Sequence, residues 1–168
     1  MTWSGAWPPH EVHQSKRRLI QLRDTVDRLA PETDDDIKSS LARFLAVRSC
    51  GHIEFTFDEC LSQYASVKAH PNIANYIREG LFTGRNPRPG VLVERLRTLN
   101  QEWANDLELF LHEDDKLRAR ELSLLVDRRN GISHGQNEGL TPRKALDLVK
   151  LALDVADWIT ERLHPKPE

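Results

Sequence analysis

The sequence predicts an all-α fold, a helical bundle with two long core helices and several short ones. Three observations predict it. Apolar residues recur at helical spacing along most of the chain, start and stop signals recur between those segments, and no alternating strand pattern, repeat or low-complexity stretch interrupts them. A length of 168 residues, 39% hydrophobic and 30% charged, suits one soluble domain with a real core. Residues 1–168 are therefore read as a single helical domain with tails at 1–13 and 164–168.

The N-terminal stretch carries Trp3, Trp7, Pro8 and Pro9 and is too interrupted to form an element alone. Its tryptophans either dock on a partner or fold back on the chain's own core. Helical spacing begins at His10 and runs through Val12, Leu19, Leu22, Val26 and Leu29. Lys16-Arg17-Arg18 on that helix reads as a solvated face, with phosphate contact the alternative. His10 and His13 have the spacing of a metal pair, but no carboxylate or cysteine pattern completes a site.

Pro31 and the acidic cluster Asp34-Asp35-Asp36 end that helix and start a second, expected from Asp35 to about Lys68. Its broad apolar stripe, from Ile37 to Val67, is interrupted at Arg48-Ser49-Cys50-Gly51-His52, and Arg48 is expected to face inward behind Leu41 and Phe44. Arg48 then either pairs with a distant carboxylate or shares a cleft with a second arginine, Arg129. A short helix is expected from Ile73 to Phe82, and a loop from Thr83 to Gly90 carries Arg85 and Arg88 without the glycine spacing of a nucleotide cradle. Helices follow over Val91 to Leu99 and Gln101 to about Leu111, and His112-Glu113-Asp114-Asp115 opens another that reaches Arg129. Thr141-Pro142 starts the last helix and Pro165 and Pro167 end it.

No run of eighteen apolar residues exists, and the N-terminus has neither the basic nor the apolar region of a secretory signal, so a cytosolic protein without a membrane span is expected. Cys50 and Cys60, roughly 15 Å apart along one helix, cannot bridge each other and should be reduced and buried. A net charge of -2 argues against a protein that coats nucleic acid over its whole surface, while leaving room for a local basic cleft.

The stretch Asp127 to Gly139 stands apart from the rest. Leu122, Leu125 and Val126 place Arg129 on an apolar stripe, where a permanent cation needs an anionic partner or a water-filled cleft. His134 can exchange protons near neutral pH. On an unbroken helix the two side chains would point about 140° apart. Asn130-Gly131 is read as the place where the helix stops, with Gly135 and Gly139 turning the chain, and such a break would let Arg129 and His134 converge. The bland alternative is that both residues cap the helix end and pair with acidic neighbours such as Asp127.

Arg129-Asn130-Gly131-Ile132-Ser133-His134 resembles the motif of the HEPN superfamily, an arginine, a polar residue and a histidine after four to six intervening positions. The wider chain, roughly Asp35 to Leu163, is similar to the RiboL-PSP-HEPN branch through Arg48 to Glu54, the Arg85-Asn86-Pro87 loop, Trp103, and Arg129 to Gly135. The resemblance implies a bundle that dimerises about its motif helices and, in active members, a metal-independent endoribonuclease needing no cofactor. It makes His134 the base or acid, Arg129 the phosphate-holding cation, and Asn130 a group that orients His134 or the phosphate. Arg48, Arg128 and Ser133 become candidate substrate contacts, and Glu54, Gly131 and Gly135 candidate supports; Arg48 and Glu54 stay open between catalysis and structure.

Three functions follow as expectations. The first is a ribonuclease effector, a toxin or defence protein acting on RNA and held off by a neutralising partner. The second is a catalytically silent module binding RNA, a nucleotide or a protein through the same cleft. The third is a purely structural dimerisation domain.

Overall fold

The computed structural model describes residues 5–136 and 139–165. Trp3, Pro167 and the Asn137-Glu138 part of the motif stretch lie outside the described residues. Among the described residues there are six helices and no strand: α1 (His10–Asp27), α2 (Asp35–Lys68), α3 (Pro71–Glu79), α4 (Pro89–Arg97), α5 (Gln101–Ser133) and α6 (Pro142–Arg162).

α2 is the central rod, packed against α1, α3, α5 and α6. Asp34 starts it by accepting from the N–H groups of Asp36 (2.9 Å) and Ile37 (3.3 Å), and Asp35 and Asp36 sit at its positive end. The apparent interruption around Gly51 is not a break. Ser49, Cys50 and His52 are all buried, because α2 is covered on several sides and its apolar pattern therefore lacks a single stripe. The Ser49 hydroxyl donates to the Leu45 carbonyl at 2.8 Å, which satisfies it inside the core. Leu19 of α1, Leu45, Ile53 and Phe57 of α2, Leu92 of α4, Leu122 and Leu125 of α5, and Leu148 and Ile159 of α6 all join one core.

α1 begins at His10, where helical spacing begins. Ahead of it Trp7 folds back on the chain: its indole N–H donates to the Thr160 carbonyl at 2.8 Å and its ring lies 5.4 Å from that of His164. α1 is tied to α6 by Lys16, whose ammonium sits 2.6 Å from Asp157. α6 starts as expected, with Thr141 Oγ1 accepting from the Lys144 N–H at 3.2 Å and Pro142 in the first turn.

α5 comprises two helical segments joined by a left-handed turn, with φ of 50°, 55° and 62° at Asp114, Asp115 and Lys116. This is where the sequence predicts one helix to give way to another. Arg118 spans the break, its guanidinium 4.5 Å from the Phe110 ring centroid and donating to the Phe110 carbonyl at 3.0 Å. The other expected break is absent. Helix α5 passes through Asn130 and a buried Gly131 and stops only after Ser133.

The reason lies in the cap. Gly135 takes a left-handed φ of 74°, its N–H donates to the Ile132 carbonyl at 3.0 Å, and the Gln136 N–H donates to the Gly131 carbonyl at 2.9 Å. The last-turn carbonyls are thus satisfied beyond Gly131, so the Asn-Gly pair is carried inside the helix and Gly135 supplies the stop.

Candidate functional site

The site is assembled where α1, α2 and α5 meet, over a cleft of about 490 Å³. Arg18 of α1, Arg48 of α2 and Arg129 of α5 line it together with Glu11, so positive charge dominates its wall. Leu19, Val47 and Phe55 give it an apolar side, and Ser15 and His52 add polar groups. A protein with a net charge of -2 therefore concentrates three guanidiniums in one place.

Arg129 is half-buried and held by two neutral carbonyls. Its Nη1 donates to Asn86 Oδ1 at 3.1 Å and to Asn130 Oδ1 at 3.2 Å. Amide acceptors fix the guanidinium plane without neutralising it, so its charge remains available to an anion. The Asn130 side chain thus orients Arg129, and its residue meets His134 through the backbone, the His134 N–H donating to the Asn130 carbonyl at 3.1 Å. Asp127 does not pair with Arg129; its partner is Arg88.

The loop between α3 and α4 carries Asn86 and is strapped to the bundle at three points. The Phe82 N–H donates to Asp58 Oδ2 at 2.9 Å, Asn86 receives Arg129, and Arg88 pairs with Asp127. Asp58 is itself buried and paired with Arg95, whose guanidinium lies 4.1 Å from the Phe57 ring centroid. The chain from Asp58 to Asn86 therefore sets where Arg129 points.

Glu54 stands next to this network. Its Oε1 is buried without a hydrogen-bond partner, and burial pushes the carboxyl above its ordinary range; the Arg129 charge works against that rise, Asp58 adds to it and Arg95 opposes it. Arg129 thus has an acidic group in its field as well as a cleft before it. Burial, with a further push from Glu54 and against the pull of Arg129, raises the Cys50 thiol to about 12. Burial also lifts Cys60 to about 12, and both cysteines are free, buried thiols.

Two expectations about the site need correction. Arg48 does not face inward: it is exposed, on a line with exposed Phe44 and Gly51 along α2, and reaches the cleft from its rim. The periodicity misplaced it because α2 is buried on more than one side. His134 does not converge with Arg129 within one chain either. It is the exposed C-cap of α5 and is not among the residues lining the cleft, because the helix between the two residues is continuous. Five positions along an unbroken helix leave about 140° between their directions.

The remaining candidates are placed as follows. Arg128 is half-buried on the motif helix, and the exposed Ser133 turns its hydroxyl back to the Arg129 carbonyl at 2.9 Å. Trp103 packs edge-on against Tyr64 with centroids 5.3 Å apart and serves the core. His10 bonds to Gln14 at 2.8 Å, and among the described residues no three His, Cys, Asp or Glu side chains gather as metal ligands would.

Sequence reasoning missed Arg18, His52 and Asn86 as members of the site. Arg18 sat in a basic run that reads as solvated, and a lone histidine in an apolar helix reads as core. Asn86 stands in a loop, and nothing in the sequence ties it to a residue 43 positions away.

No helix among the described residues is long and apolar enough to cross a membrane. No curated protein and no solved structure matches the chain. Residues 13–164, nearly its whole length, match the family described as RiboL-PSP-HEPN. With the all-helical architecture, that match makes this chain a member of the RiboL-PSP-HEPN family.

Proposed function

We infer that this protein is a metal-independent endoribonuclease, leaving 2',3'-cyclic phosphate and 5'-hydroxyl ends. Family membership supports a nuclease or RNA-related function in general terms, HEPN domains being commonly of the RNase type. The observation that carries the finer reading is Arg129, fixed by Asn86 and Asn130 yet still charged, in a cleft it shares with Arg18 and Arg48.

The chemistry needs three groups. A base takes the 2'-hydroxyl proton as that oxygen attacks phosphorus, a cation stabilises the extra negative charge on the phosphorane, and an acid protonates the departing 5'-oxygen. Arg129 is the cation, its planar fork suited to two phosphate oxygens. His134 takes one of the two proton-transfer roles, as base or as acid, and water accepts or delivers the other proton. Because α5 directs it away from its own Arg129, the histidine comes from a second copy packed about the motif helices, so that each site is composite. A ribonuclease of this kind acts as a toxin or defence effector and is held off by a neutralising partner, since uncontrolled cleavage would damage its own cell.

The test is digestion of a mixed RNA pool in excess EDTA by wild type, Arg129→Ala and His134→Ala. Cyclic-phosphate ends from wild type and none from either variant are expected. Intact RNA after incubation with folded wild type contradicts the reading.

A second reading is favoured by the position of His134 itself. A motif histidine outside the arginine cleft of its own chain suits a silent module that binds RNA or a nucleotide through Arg18, Arg48 and Arg129 without cleaving it. Retained, intact RNA on the wild-type protein selects this reading.

A further inference from the structure

Two phenylalanines stand half-exposed at opposite ends of the arginine cleft. Phe44 is 53% exposed and sits one turn before Val47 and Arg48, which line the cleft. Phe82 is 51% exposed, and its ring centroid lies 6.3 Å from that of Phe55, a lining residue further along α2. Single exposed apolar side chains are ordinary on a protein surface. These two differ in where they stand and in how one of them is held.

Position comes from α2. Phe44, Arg48, Gly51 and Phe55 follow one another at steps of four, three and four residues, so their directions fall within about 60° and the row is roughly 16 Å long. Gly51 leaves open space within it, with nothing inside 4 Å of where a Cβ would stand. From Ser39 to Phe55 the helix carries Arg43 and Arg48 but one carboxylate, the half-buried Glu54, and Arg18 and Arg129 face the same cleft. The row is therefore basic, and two copies of the chain laid face to face along it would set like charges against each other. A polyanion with flat apolar parts suits it better, a nucleic-acid strand whose bases are unpaired.

Phe82 has a left-handed φ of 56°, a conformation that glycine takes freely and a residue with a Cβ holds only under strain. Asp58 fixes it there, accepting the Phe82 N–H at 2.9 Å while paired with Arg95. Strain of this kind persists where the surroundings over-determine it, and it gathers at sites that grip a ligand. Here it keeps a bulky ring beside the cleft, tilted 52° to Phe55, instead of in the core.

We propose that Phe44 and Phe82 are stacking platforms for an unpaired RNA strand that runs along α2. Its phosphates follow Arg48, Arg18 and Arg129, one base lies on the Phe44 ring and another on the Phe82 ring. A duplex has no free base face to offer, its bases being stacked on each other. The proposal rests on the reading that the cleft receives RNA, and not on cleavage.

Fluorescence anisotropy of the full chain with labelled 2'-O-methyl oligoribonucleotides tests it, since such probes lack the 2'-hydroxyl that their own cleavage would need. The probes are a single strand, the same strand in a duplex, and a strand of equal length without bases. Wild type should bind the unpaired strand most tightly. Phe44→Ala and Phe82→Gly, the second keeping the left-handed backbone, should each weaken that strand by about fivefold or more, as loss of one stack of base on ring provides. Neither should alter binding of the strand without bases, which also reports that each variant is folded. Neither should change the dependence of affinity on salt, whereas Arg48→Ala should make it shallower. A smaller loss in either ring variant, an equal loss on the strand without bases, or a duplex bound as tightly as the unpaired strand would overturn the proposal. A change of mass by light scattering in Phe44→Ala, with strand affinity kept, would overturn it in favour of a second copy of the chain on this face. Ring-dependent strand binding with unmodified RNA left intact would end the nuclease reading alone. Cleavage by wild type without ring dependence would end this one alone.

Discussion

At the scale of single residues, the site depends on charged and polar groups held without full neutralisation. Arg129 was legible in the sequence because a cation on an apolar stripe needs a reason to be there, and the cleft and the field of Glu54 supply it. The side on which Arg48 lies was not legible, because a helix covered on several faces gives no single direction to its apolar pattern. His52 was hidden for a related reason, and it carries a measurable signature. Its folded-state pKa falls from 6.5 to about 4, so the unfolded chain binds its proton more readily. The stability it contributes is complete above pH 6.5 and is lost as pH falls toward 4, about 2 kcal/mol by pH 5 and roughly 3 by pH 4. Urea unfolding at pH 7.5 and pH 5 should show that loss in wild type and a loss smaller by about 2 kcal/mol in His52→Phe. Equal pH dependence in the two proteins would place the proton elsewhere.

At the scale of elements, the loop from Phe82 to Arg88 is as much part of the site as the motif helix. Asp58 anchors it through the Phe82 N–H while pairing with Arg95, both side chains being about one-tenth exposed. Removing one partner of such a buried pair leaves a desolvated charge behind. Asp58→Ala should therefore cost about 3–5 kcal/mol in denaturant unfolding. In protein that still folds, it should also weaken RNA binding, because Asn86 no longer holds Arg129. A variant as stable as wild type would refute the anchoring role.

The left-handed turn in α5 gives a second test at this scale. Lys116, at φ 62°, occupies a conformation that costs a residue with a Cβ about 1–2 kcal/mol. Lys116→Gly should raise stability by about 1 kcal/mol, and a fall on substitution would mean that the turn is not left-handed in solution. The sequence placed a junction here correctly, since an acidic cluster follows the apolar face of Trp103, Leu107 and Leu111. It placed the Asn130-Gly131 stop wrongly, because a strong local turn signal lost to a cap four residues further on. Helix starts marked by Asp34 and Thr141 were legible because their side chains bond the first N–H groups. Such caps are local chemistry; loop-to-helix bonds such as Asn86 to Arg129 are not.

At the scale of the whole molecule, the bundle was readable from helical spacing, and the family match over residues 13–164 agrees with it. What one chain cannot do alone is place His134 beside Arg129, because continuous helix separates them. The proposed active unit is therefore a dimer whose two basic clefts each borrow a histidine. Mixing two inactive variants addresses that claim directly. Arg129→Ala and His134→Ala, each unable to cleave, should regain activity when unfolded together and refolded as a mixture. About half the dimers would then be mixed, each with one intact composite site, giving about a quarter of wild-type cleavage in EDTA. Restoration to that level would support a shared site. No recovery in a mixture shown to contain mixed dimers, alongside active wild type, would contradict it.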